Sequence, residues 1–147
     1  MERLLLTLLA VTAGGLVAAQ APVNARLRLM VGSPWLAAAV SFAVGTVILV
    51  VLAAAAPGSD GVARLGGGPW WAYLGGACGV VMVLATLSAS PRLGVTPTFV
   101  AVVAGQVALA ALIDRFGWFG AAVRPVGTGR LVALGLLVVS LVLLLRE

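Results

Sequence analysis

The chain has 147 residues, 63% of them hydrophobic and 9% charged, with a mean hydropathy of +1.21, a balance far outside that of soluble proteins. With no histidine and a single cysteine, Cys78, one chain can build neither a disulfide nor a Cys/His metal site, and no cofactor is expected. The formal charge of +5 comes from nine arginines spread over every loop rather than gathered on one face, a pattern of membrane-interface anchors and not of nucleic-acid binding.

A hydrocarbon core about 30 Å thick needs roughly 20 apolar residues per helical crossing. The chain offers five such stretches, at about residues 3–25, 34–56, 69–90, 97–117 and 129–146, within a single membrane domain over 1–147. The expected fold class is therefore all-α transmembrane, a five-helix bundle. The first apolar run, behind Glu2-Arg3, is longer than the h-region of a secretory signal and reads as a retained span. Near its end Gln20 and Asn24 stand four apart on one helical face, while Pro22 removes a backbone donor and frees the carbonyl of Ala18. A helix end is expected here, its amides lining the mouth of a cavity; the structural alternative has both amides capping a frayed terminus. Arg26 and Arg28 follow as snorkelling anchors.

Ser33-Pro34 supplies an N-cap and first-turn proline for the second helix, whose inner polar groups, Ser41 and Thr46, either bond the preceding turn or line a solute path. Its exit is the turn-rich PGSDG at 57–61. Pro69 opens the third helix and Ser90-Pro91 stops it, and Thr96-Pro97 repeats the capping device for the fourth. Gln106 then falls near the bilayer midplane, where an unpaired amide is costly, so it must face protein or water. Thr86, Ser88, Ser90, Arg92, Thr96 and Thr98 approach the side of Asn24 and give that vestibule a hydroxyl, amide and guanidinium character suited to neutral or anionic solutes. Asp114 is expected to pair locally with Arg115. The fifth span has only 15 uncharged residues, Leu131 to Leu145, a rise of about 22 Å, so Arg130 and Arg146 must snorkel.

Trp35, Trp70, Trp71, Tyr73, Trp118 and Phe119 all fall at helix ends, where amphipathic rings settle at the headgroup level. Small residues at four-residue spacing, Gly75/Gly79, Ser41/Gly45 and Ala101/Gly105, predict a tightly packed bundle. Five crossings put Arg3, Arg64, Arg115, Arg124 and Arg130 on one side and Arg26, Arg28, Arg92 and Arg146 on the other. Five against four is nearly no bias, so the chain lacks a strong orientation signal and two copies can insert oppositely and pair antiparallel. A fixed orientation set by details outside this count is the alternative.

The series Gln20, Asn24, GSPWLAAAVSFAVGT (32–46), PWWAYLGG (69–76), PRLG (91–94) and GQVALAALIDRFGWFG (105–120) resembles the YdcZ-like family, short five-span members of the drug/metabolite transporter superfamily. The resemblance covers nearly the whole chain, in order. It implies a multi-pass protein of the cell inner membrane, a half-transporter that exports a small solute and pairs with itself or a paralogous half, giving a ten-helix assembly. Members commonly carry histidine after the aspartate near the end of the fourth span; here that residue is Arg115. The similar small multidrug exporters carry a glutamate inside the first helix, where this chain has only Thr7 and Thr12, so proton exchange by that route does not carry over.

The expected activity is alternating-access transport by a dimer, with Gln20, Asn24, Ser41, Thr46, Arg92, Thr98 and Gln106 as candidate substrate-binding residues. The expected partners are membrane lipid, a second half-transporter and an unidentified small solute. The rivals are a non-transporting assembly or regulatory subunit, and a channel. An enzyme is disfavoured because no histidine and no carboxylate pair lies within the spans.

Overall fold

The computed structural model describes residues 1–56 and 67–146; the turn expected at 57–61 and Arg64 lie outside the described residues. All regular structure among the described residues is helical. Five α-helices follow one another: α1 (Glu2–Val31), α2 (Pro34–Ala55), α3 (Gly75–Leu93), α4 (Val95–Phe116) and α5 (Thr128–Leu144). The first four are long and apolar enough to cross a membrane, counting α3 with the 3-10 turn before it; α5, with 17 residues and a rise of about 25 Å, sits at the short limit. The chain divides into two compact units, Met1–Ser88 and Ala89–Glu147.

In the first unit, α1 does not end near Pro22 as the sequence suggests. Proline removes one backbone donor, that facing the carbonyl of Ala18, and one lost bond does not stop a helix with nine more residues to propagate through. The stop comes at Gly32, which takes a left-handed conformation (φ +72°) and donates its N–H to the carbonyl of Arg28 at 2.9 Å. One residue later α2 begins as expected: the Ser33 hydroxyl accepts from the Leu36 N–H at 3.3 Å, and Pro34 occupies the first turn.

The seam between α1 and α2 is made of alanines. Ala21, Ala37 and Ala38 are almost completely buried, and small side chains there let the two backbones approach. The expected glycine seams are not used within the chain. A methyl group added at Gly45, Gly75, Gly76 or Gly105 would meet nothing within 4 Å, and only Gly79 has a neighbour, the Phe42 ring. The tight packing expected through these residues is therefore not found within either unit, where the small-residue faces are left open. Before α3, Pro69 caps a 3-10 turn over Trp70–Leu74 rather than an α-helix.

Helix α3 runs through Ser90 and Pro91 to Leu93, because a proline in the last turn again deletes a single bond. In the second unit, Thr96-Pro97 is not a cap. The N-cap of α4 is Gly94, and Pro97 is the third helical residue, where a backbone N–H has no intrahelical acceptor in any case. At the other end, Gly117 (φ +67°) closes α4, and a Cβ there would lie 2.8 Å from Val123 Cγ2, so glycine is required on both conformational and steric grounds. Helices α4 and α5 pack along one another. Trp35, Trp70 and Trp118 are exposed near helix ends, and no more than 11% of the most apolar stretch of any of the four long spans is buried, so most of the hydrocarbon surface awaits lipid or another chain.

Candidate functional site

Helix α3 lies farther from α1 and α2 than these lie from each other, and the gap is a cavity of about 220 Å³. The polar side chains in its wall come from residues a helical turn apart on α1, Gln20 and Asn24, and from Thr86 on α3; the apolar remainder includes Phe42 of α2 and Met82 and Val83 of α3. Continuing α1 through Pro22 is what puts the two amides here. They stand on one face of an unbroken helix, Asn24 buried and Gln20 exposed at the cavity's edge, not at a frayed end.

Each polar group has a different degree of freedom left. Gln20 Nε2 donates to Ser41 Oγ at 3.2 Å, tying α1 to α2 across the mouth of the site and leaving the Gln20 carbonyl oxygen and one N–H unused. Thr86 Oγ1 donates back along its own helix to the carbonyls of Met82 and Val83, at 3.0 and 3.1 Å, so it can only accept further bonds. Asn24 is 4% exposed and its amide makes no side-chain hydrogen bond among the described residues. Its amide atoms are not sealed from the cavity, unlike Ser90 Oγ in the second unit, which is enclosed without a partner among the described residues, so water or a solute in the cavity can supply their missing partners.

The other residues singled out by the sequence fall elsewhere. Thr46 is on an exposed face of α2 and forms no part of this cavity. In the second unit, Arg92 is exposed in the last turn of α3, opposite in sign to the carbonyl end of the helix. Thr98 is buried but donates to the Gly94 carbonyl at 2.7 Å, closing the first turn of α4. Gln106 is exposed on α4 with no hydrogen bond among the described residues. Thr7 and Thr12, the inner hydroxyls of α1, bond back to the carbonyls of Arg3 and Leu8 and are satisfied where they stand.

Asp114 pairs with Arg130 of α5, not with its neighbour Arg115: Arg130 Nη1 lies 2.7 Å from Asp114 Oδ2. The approach is charge to charge, without hydrogen-bond alignment of that N–H. Adjacent helical residues point in different directions, which is why Arg115 is out of reach. Asp114 sits in the last turn of α4 and Arg130 in the first of α5, each at the wrong end of its own helix dipole, so pairing relieves both. The Asp114 carbonyl also accepts the Arg124 N–H at 2.7 Å, and Phe116 stacks on Trp118, which fastens the connecting segment to the end of α4.

The apolar helices and the polar groups facing this cavity can be set beside the comparison with known families. Residues 5–143 match the family described as "Putative inner membrane exporter, YdcZ". The chain belongs to the YdcZ family. It is an inner-membrane protein, and membrane transport is the activity that the family description supports. No curated protein and no solved structure matches the chain.

Proposed function

We propose that this YdcZ-family chain is one half of a small-solute exporter of the drug/metabolite transporter type, that two halves pair antiparallel, and that the cavity bordered by α1, α2 and α3 holds the solute during alternating access. The observation that carries the proposal is the Asn24 amide, which faces the cavity with no side-chain hydrogen bond among the described residues. A scaffold would have replaced it by an apolar residue at no cost. Pairing is supported by the open glycine faces at Gly45, Gly75 and Gly105, by the exposed Gln106 amide, which hydrocarbon cannot satisfy, and by the near-equal division of arginines between the two sides.

Cells overproducing the chain, challenged with a panel of small toxic solutes, should accumulate less of at least one of them, and Asn24→Leu should abolish this at an equal membrane level. Reporters fused to the C-terminus should signal from both faces of the membrane. Export that survives Asn24→Leu removes the cavity from the mechanism; a one-sided reporter signal removes the antiparallel pair.

A further inference from the structure

We infer that the cavity between α1, α2 and α3 selects an uncharged solute that carries one hydrogen-bonding group able both to donate and to accept, such as a primary amide or an alcohol, on a compact apolar body. This rests on the exporter reading for its physiological role but not for its binding chemistry.

The polar wall offers acceptors and donors together. Asn24 presents a whole free amide, Gln20 its carbonyl oxygen and one N–H, and Thr86 a lone pair. No side chain in the wall is ionisable. A carboxylate or ammonium brought here would therefore lose its hydration with no counter-charge, the costliest way to bury a polar group. A bare cation fares little better: the Met82 and Val83 carbonyls are engaged by Thr86, no carboxylate is present, and hard cations take six or more oxygens. The apolar part of the wall, with the Phe42 ring and Met82, suits an aromatic or branched aliphatic body, and the volume of about 220 Å³ corresponds to roughly seven waters at liquid density.

Three probes of nearly the same shape separate the possibilities: benzamide, benzoate and benzamidine, which are neutral, anionic and cationic at pH 7. Equilibrium binding to the purified full-length protein in lipid nanodiscs should show saturable uptake of benzamide, with benzoate and benzamidine at least tenfold weaker and sodium without effect. Asn24→Leu should lose benzamide binding at undiminished thermal stability, and Gln20→Leu, which also removes the bond to Ser41, should weaken it several-fold with a fall of no more than a few degrees in melting temperature. Charged probes binding as tightly as benzamide, no saturable benzamide binding up to millimolar concentration, or benzamide binding unchanged in Asn24→Leu would each overturn the inference. Failure here with Asn24-dependent export intact leaves the exporter reading standing; benzamide binding without any export leaves the site chemistry standing and removes the exporter.

Discussion

The two units differ in what surrounds their polar side chains. In Ala89–Glu147 the buried Thr98 hydroxyl and the interhelical charges find partners at short range and α4 and α5 lie against each other, although the buried Ser90 hydroxyl has no hydrogen-bond partner among the described residues. In Met1–Ser88 α1 and α2 also pack together, but α3 stands farther off, and Gln20, Asn24 and Thr86 line the gap with hydrogen-bonding capacity left over. Lipid gives no hydrophobic push to close such a gap, so its persistence depends on what fills it. On the proposed export function, the second unit would supply stability and the open cavity of the first would exchange contents.

The sharpest way to break this contrast is Asn24→Leu. The substitution removes a cavity-facing amide that makes no side-chain hydrogen bond among the described residues, so the melting temperature should hold or rise by a few degrees, while binding of a neutral solute falls roughly 10- to 100-fold. A calorimetric scan beside a binding isotherm checks both directions; a loss of stability would mean that Asn24 is structural. Next in size comes Gln106→Leu. If a second copy covers this amide, the interhelical hydrogen bond lost is worth about 1 kcal/mol, and the dimer should dissociate roughly fivefold more readily in detergent or nanodiscs, with solute affinity unchanged. A dimer strengthened by the change would instead put Gln106 outside the contact.

The sequence disclosed the all-helical class and the place of most helices, because hydropathy and the Ser33-Pro34 cap are local signals that lipid enforces. The pairing of Gln20 with Asn24 on one face was also legible, since four-residue spacing needs no tertiary information. What failed was the weight given to prolines. Pro22, Pro91 and Pro97 each mark a boundary by rule, and each is absorbed, the first two at the cost of one backbone bond and the last at none. Glycine marked the true ends instead, at Gly32 and Gly117, through a positive φ that sequence only hints at. Arg130 as the partner of Asp114 depended on how α5 lies against α4, which no local pattern encodes. The same holds for Gly45, Gly75 and Gly105, whose spacing announces an interface without saying whether it lies within one chain or between two.

The ion pair tests the other side of the contrast. Both side chains are about a third exposed, so Asp114→Asn or Arg130→Met should each cost on the order of 1 kcal/mol, a fall of a few degrees in melting temperature, and leave the affinity for neutral solute untouched. The double variant should be less destabilised than the sum of the singles, because either change alone strands one charge at an unfavourable helix end. A change in solute affinity from either single variant would mean that the second unit is not the passive half.

The smallest effect is expected at Gly79, the point where α3 comes nearest to Phe42. A methyl group there would sit 3.4 Å from the ring, within ordinary to tight contact and without backbone strain, since no positive φ is required. Gly79→Ala should therefore change stability by less than about 1 kcal/mol. Because the same atom intrudes on the cavity wall, affinity for a solute that uses the ring should fall two- to threefold, and a smaller solute should be spared. Phe42→Leu in the Gly79→Ala background should restore the volume and recover part of the affinity for aliphatic, though not aromatic, solutes. If Gly79→Ala instead abolishes binding of every solute, α3 must close onto Phe42 during the transport cycle, and the gap between them is the moving part of the protein.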